Sequence, residues 1–373
     1  MQLMIDRTKE YGLVFDGGGA RGAYQIGAWK ALVEEGISIK AVAGTSVGAL
    51  NGALVCMGSV EKAEQIWSEM KYSSVMNVDD DWMERFFNKE NKVSEVLTEM
   101  RKVLSEGGID IAPLRKLIHE AADEEMIRNS GIEFCLLTFS VTEFKELDLS
   151  IRDIPEGLLE DFLLASAYLI GFKNEKLHGK TYVDGGVVNN LPTKSLVKRG
   201  YQNLIQVRIY GPGRAAKTRL PKDATQYEIA PRVGLGSIIE FDRKRSILNM
   251  KIGYYDAKRL LYGLSGTIYY IEQIQEECYY VEKLKDMKER EKASVAFRFK
   301  LLLGYTDKEI YTAMLEASAK LLQVPKYQIY TEQELVQEVK DRYKNTKEKE
   351  VFPEFLCQFI QIESEQVSEE VEC

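Results

Sequence analysis

"AVAGTSVGALNGALVCMGSV", residues 41–60, contains no charged side chain and is long enough to cross a bilayer. Its four glycines, two serines, Thr45 and Asn51 leave few bulky apolar residues, so a membrane helix is the poorer reading. The better one is a buried strand at "IKAVAG" (39–44), a tight turn, and a helix of small residues at "VGALNGALVCMG" (47–58). Upstream the same order occurs. "YGLVF" (11–15) reads as a strand and "DGGGARG" (16–22) as a glycine turn. "AYQIGAWKALVEEG" (23–36) is a helix with Ile26, Trp29, Leu32 and Val33 on one face and Gly36 as its stop. Strand, crossover helix, strand is the unit of a parallel sheet, which sets the class as α/β.

Further strands are expected at "EFCLLTFSVTEF" (133–144), "KTYVD" (180–184) and "LIQVRIY" (204–210), with helices at 157–169 and 191–200. "GPGRAAKTRLPKD" (211–223) is a polar loop. From residue 237 onward the pattern is mostly helical, and charged runs such as 331–350 read as solvated helix faces. The expected division is one domain over 1–272, its motifs lying within 11–210, and a helical region over 273–373. The end, "QIESEQVSEEVEC" (361–373), is an acidic tail.

The 373 residues are 45% hydrophobic and 29% charged, as in ordinary water-soluble domains. A net charge of −8 argues against a broad nucleic-acid surface. Cys56, Cys135, Cys278, Cys357 and Cys373 are widely spaced and odd in number. That spacing suggests neither a disulfide framework nor a zinc site, and it suits a reducing compartment. The charged start "MQLMIDRTKE" lacks the apolar run of a signal peptide, so secretion is not expected.

Chemistry concentrates at "GTSVG" (44–48), a G-x-S-x-G turn between strand and helix. Such a turn crowds the residues two before and two after the serine, and Gly44 and Gly48 relieve that crowding. Ser46 would then stand at the carboxyl edge of the sheet, at a helix N-terminus that favours developing negative charge. The plainer alternative is a flexible turn with a capping serine. A nucleophilic serine needs a base, and the chain has two histidines. His119 reads as a surface residue and His178 as a turn residue, and neither has an evident orienting carboxylate. "YVDGGVVNN" (182–190) offers Asp184 instead, at a strand end before two glycines. It is either a turn former or a base that works in a partly dry site.

The glycine turn has two readings as well. Gly17-x-Gly19-x-x-Gly22 is the dinucleotide fingerprint, but bare N–H groups serve an acyl oxyanion equally well.

Taken in order, "GGGARG" (17–22), "GTSVG" (44–48) and "DGG" (184–186) resemble the patatin-like phospholipases over about residues 11–210. The resemblance implies a three-layer α/β/α sandwich with a mainly parallel central sheet. It implies a Ser–Asp dyad of Ser46 and Asp184, and an oxyanion turn containing Gly17, Gly18, Gly19 and Arg21. Gly22, Gly44, Gly48, Gly185 and Gly186 fall on its remaining motif positions. It also implies lipid acyl hydrolysis without a metal or other cofactor. A dinucleotide site would want an acid at the end of the second strand, where this chain has "AVAGTS". The glycines therefore read as an oxyanion turn. One departure lies in "LLASAYLIGFKNEKLHGKTYVDGG" (163–186): many family members carry a proline where this chain has Leu169, Ile170 and Gly171, which bears on the shape of the substrate mouth.

The expected function is a phospholipase A-like hydrolase of phospholipid or other acyl-lipid esters. The alternative is a non-catalytic lipid-binding or regulatory protein on the same scaffold. Nucleic acid is not an expected partner. The expected location is cytoplasmic, with peripheral membrane contact. Residues 241–263, "FDRKRSILNMKIGYYDAKRLLYG", are either that contact surface or a core-packing helix with a charged outer face.

Overall fold

Strand β1 (Glu10–Phe15) lies inside a seven-stranded sheet. On one side follow β2 (Ser38–Thr45), β3 (Glu133–Ser140) and β4 (Lys145–Ser150), while β5 (Tyr182–Asp184) also pairs with β3. On the other side are β6 (Asn203–Val207) and β7 (Thr225–Ile229). Pairing is parallel throughout except where β4 and β5 run antiparallel to β3. The computed structural model describes residues 2–88, 105, 107–169, 171–173, 175–302, 304–346 and 352–364.

The helices of this part are α1 (Ala23–Glu34), α2 (Val47–Met57), α3 (Val60–Ser68), α4 (Asp80–Phe87), α5 (Ala112–Ala121), α6 (Glu124–Asn129), α7 (Leu159–Ser166), α8 (Thr193–Lys198) and α9 (Arg243–Tyr262). Strand alternation assigns them to faces. Val14, Ala41, Ala43, Cys135 and Leu204 pack with Leu191 and with Leu196 of α8. Val42 and Phe134 point the other way, onto Gly52 of α2. With both faces covered, the central strands are buried and apolar, as parallel sheets require. The result is the expected α/β/α sandwich. The uncharged stretch 41–60 is β2, the turn and α2, and among the described residues no helix is long and apolar enough to cross a membrane.

Helix α1 departs from a one-sided pattern. It is buried on nearly all sides, and Val33, placed by periodicity on the apolar face, is exposed. The cause is α9, which crosses it closely. A Cβ on Gly27 would lie 1.8 Å from Met250 O, and one on Gly253 would lie 1.9 Å from Tyr24 O. Helix α9 also buries Ile252, Asp256, Ala257 and Arg259, and Tyr24 Oη donates to Asp256 Oδ2 at 2.9 Å. Of the two readings of 241–263, core packing is the one observed.

Residues Ile5–Leu260 form one compact unit, and Met1–Met4 with Leu261–Cys373 form a second. In the second unit β8 (Tyr270–Glu272) pairs in parallel with β9 (Ile329–Thr331). That strand pair was not expected in a helical region. Around it lie α10 (Glu277–Lys283), α11 (Glu289–Phe299), α12 (Asp307–Leu321), α13 (Glu332–Asn345) and α14 (Glu354–Ile362). Tyr269, Tyr280, Tyr311, Leu315, Leu335 and Phe359 build its core. The buried hydroxyls are satisfied: Tyr269 Oη donates to Val324 O at 2.9 Å, and Tyr311 Oη to Glu363 Oε1 at 2.7 Å. Cys56, Cys135 and Cys357 are free thiols. The acidic tail beyond residue 364 lies outside the described residues.

Candidate active site

Strand β2 ends at Thr45, and Ser46 then takes φ 56°, ψ −128° before α2 begins. A non-glycine residue pays about 1–3 kcal/mol to sit there, so the surroundings must enforce it. They do so by crowding. A Cβ on Gly44 would lie 2.1 Å from Gly48 O, and one on Gly48 would lie 2.6 Å from Phe15 O. Neither position accepts a side chain. Ser46 is buried, and its N–H donates to Ser166 Oγ at 2.9 Å, which in turn donates to Leu137 O at 2.7 Å.

Asp184 reaches this turn through strand register. On β3, Leu137 is the partner of Thr45 in β2, and the next residue, Thr138, is the partner of Asp184 in β5. Strand β4 occupies the other edge of β3 from Cys135 to Ser140, so β5 lies on the β2 side. It continues the line of β2 from the opposite direction, and the two strand ends meet. Gly185 permits the turn that follows, since a Cβ there would lie 2.5 Å from Leu137 O. The Asp184 N–H donates to Tyr168 O at 2.8 Å, and Asp184 Oδ1 accepts from Gly186 N at 2.7 Å.

The Asp184 carboxyl is buried, and burial pushes its pKa up to about 6 against the opposing pull of the Ser46 hydroxyl and the Gly186 N–H. The Ser46 hydroxyl is thus close enough to favour the ionised form. Asp184 Oδ2 is buried and has no hydrogen-bond partner among the described residues. An acceptor left unfilled in so buried a place is uncommon in folded proteins.

The glycine turn lies between β1 and α1. Its first amide is engaged, because Gly17 N donates to Asn190 O at 3.0 Å. Ala20 N donates to Ile238 O and Arg21 N to Gly18 O. The N–H groups of Gly18 and Gly19 find no partner among the described residues. Gly19 has φ 54°, and a Cβ there would lie 2.1 Å from Ile238 O. The Arg21 side chain is a brace: its Nε donates to Gly236 O at 2.8 Å and its guanidinium to Tyr210 O at 2.6 Å. Gly22 lets α1 start against α2, since a Cβ would lie 2.5 Å from Val47 Cγ2.

Three buried polar residues that the motifs did not single out hold these parts. Asn190 Nδ2 donates to Asp16 Oδ1 at 2.6 Å and to Gly17 O at 2.9 Å. Asp16 also accepts from Arg208 Nε at 3.2 Å and from the N–H groups of Ile209 and Tyr210. Burial raises its pKa while Arg208 and these donors resist. Ser166 holds the Ser46 amide. Asp16 heads the glycine run and Asn190 follows "DGG", but no local rule marks either as a fastener.

An apolar cavity runs from Gly19 and Ser46 between α2, α3, α5 and α7, lined by Leu50, Leu54, Trp67, Leu114, Leu163 and Phe241 among others. Leu169 and Phe172 also line it, so the segment where the family proline is missing does border the cavity; Ile170 itself lies outside the described residues. The histidines turn outward. His119 Nδ1 lies 3.0 Å from Glu160 Oε1, and His178 Nε2 lies 2.8 Å from Asp161 Oδ2, both in exposed pairs. Each does have a carboxylate partner, which the sequence did not reveal because α7 supplies both.

Comparison with known proteins gives one matching family model, Patatin-like phospholipase, at residues 13–197. The chain is 29% identical over 204 residues to neuropathy target esterase sws of Drosophila melanogaster, covering 53% of this chain and 13% of that protein. It is 32% identical over 187 residues to the same-named protein of Drosophila grimshawi, covering 48% of this chain and 11% of that one. It thus spans little more than a tenth of the length of these relatives. The solved structure of VipD from Legionella pneumophila is similar at 14% identity and a TM-score of 0.39, over 95% of this chain and 84% of that one.

Proposed function

Because this chain carries a patatin-like phospholipase domain at residues 13–197, a lipid acyl hydrolase at the family level, we propose that it cleaves carboxylic esters of lipids at Ser46 with Asp184 as base. The observation that carries this reading is the meeting of two strand ends on β3, with Ser46 strained into its elbow beside a buried carboxyl of raised pKa.

Ser46 Oγ attacks the ester carbonyl carbon as its proton passes to the Asp184 carboxylate. The carbonyl electrons move onto oxygen, where the Gly18 and Gly19 N–H groups and the start of α2 oppose the new negative charge. Collapse breaks the bond to the alcohol oxygen, and the departing alcohol takes the proton from Asp184. Water then attacks the acyl-serine, passing a proton to Asp184; the acid is released and Ser46 Oγ regains its proton. The apolar cavity beside Ser46 suits a hydrocarbon chain, which makes the acyl group of a phospholipid or other acyl lipid the natural occupant.

A fluorophosphonate probe tests the assignment. Wild type is expected to label and Ser46→Ala to remain unlabelled, with loss of ester hydrolysis on the order of 10⁶-fold. Equal labelling of the two proteins would refute it.

A further inference from the structure

The loop 208–224 between β6 and β7 is fastened to the candidate site at several points. A Cβ on Gly211 would lie 1.9 Å from Gly17 O, and one on Gly213 would lie 2.2 Å from Gly186 O. Asn190 N donates to Arg214 O at 2.8 Å, and Ala216 N donates to Asn189 Oδ1 at 3.3 Å. Leu220 packs onto the core under α8. The loop backbone is therefore pressed against both the glycine turn and the turn after Asp184.

Its side chains are of the opposite character. "GPGRAAKTRLPKD" (211–223) holds four cations against one acid, Asp223 at its end, in a chain of net charge −8. Arg214, Lys217, Arg219 and Lys222 are all exposed, and among the described residues none has an ion pair. At the edges of this run stand two exposed apolar groups. Tyr210 is 50% exposed at φ 48°, with the Arg208 guanidinium 5.0 Å from its ring centre. Val187 is 49% exposed and directly follows Gly186.

Unpaired like charges repel one another unless something anionic faces them. We infer that the 210–222 loop, with Val187, is a docking rim that sets the Ser46 site onto a bilayer containing anionic lipid. The cations meet lipid phosphates, and Tyr210 and Val187 enter the headgroup layer, where aromatic and aliphatic groups beside basic residues are favoured. The flanking apolar groups favour a bilayer over nucleic acid, as does the overall negative charge, which repels a long polyanion. The inference rests on the lipid-cleaving reading for its purpose, but binding is measured apart from turnover, so the failure of one is not mistaken for the failure of the other.

The test is sedimentation of the full chain with vesicles of phosphatidylcholine alone or mixed with phosphatidylglycerol. Wild type is expected to bind the mixed vesicles, to ignore the pure ones, and to be released by salt. The triple variant K217Q/R219Q/K222Q loses roughly fivefold per cation near the surface, hence on the order of 100-fold in partitioning. Its melting temperature and its hydrolysis of a soluble short-chain ester stay at the wild-type level, which shows that the loss is not unfolding. Equal binding of variant and wild type, indifference of wild type to phosphatidylglycerol, or binding to duplex DNA but not to vesicles would each overturn the inference.

Discussion

Each of the two units buries carboxylates, but in different company. In the first, Asp184 accepts one backbone N–H at Oδ1 and, among the described residues, has no hydrogen-bond partner at Oδ2. In the second, Glu332 Oε2 accepts from Tyr280 Oη at 2.6 Å and from Gln273 Nε2 at 2.8 Å. Glu316 Oε1 takes the N–H groups of Thr267, Ile268 and Tyr269, each at 2.7 Å. An acid with its acceptors filled is a strut, and burial raises the pKa of Glu332 while two donors hold it down. An acid with an open, dry lone pair beside a hydroxyl is held at a cost to folding, which marks it as a candidate for chemistry.

The contrast breaks most sharply at Asp184. Asp184→Asn keeps an oxygen for the Gly186 N–H but removes the base, and turnover is expected to fall on the order of 10⁴-fold. Stability should move the other way. A carboxyl whose pKa rises on folding from 3.8 to about 6 stabilises the fold at pH below its unfolded value, and that contribution is lost as pH rises through about 6. At pH 8 the buried anion costs on the order of 3 kcal/mol, so the Asn variant should melt several degrees higher there and gain nothing at pH 3.5. The same titration predicts that wild-type kcat/KM drops about tenfold per pH unit below about 6. A flat profile across that range, or an Asn variant that melts lower at pH 8, would remove Asp184 from the role.

Gly19→Ala sharpens the comparison on the oxyanion side. Its methyl would press on Ile238 O and turn an amide away, and kcat should fall about 10²–10³-fold. Unchanged turnover with an intact melting curve would exclude the Gly19 amide. The smallest effect belongs to the strut. Glu332→Ala leaves the Tyr280 hydroxyl without its acceptor and should destabilise by about 1–3 kcal/mol, read by denaturant midpoint. A stabilised variant there would abolish the distinction between the two kinds of buried acid.

The elements that could be read in advance were those governed by local rules. "GTSVG" announces crowding that only glycine relieves, and Gly44 and Gly48 do touch backbone to backbone. The strands of the parallel core showed as apolar runs because both faces are covered. What escaped depends on partners far along the chain. Strand β4, "KELDLS", is half-exposed and lacks an apolar run, so 133–144 looked like one strand rather than β3 and a turn. Val33 was placed inward by period, since nothing in α1 tells that α9 will cross it at Gly27. Asn190 reaches Asp16 over 174 positions, and no spacing rule covers that distance.

The end-to-end approach of β5 to β2 makes this constellation discrete rather than adjustable. Side chains alternate faces along a strand, so a slip of β5 by one position on β3 would not stretch the Ser46–Asp184 contact but send the carboxyl through to the opposite layer. Insertions between Val141 and Thr181 should then be tolerated where they spare β4, Ser166 and Tyr168, provided that three rungs of pairing keep their phase. Divergent copies of this domain should accordingly keep their activity or lose it outright, with few intermediates left by errors of alignment.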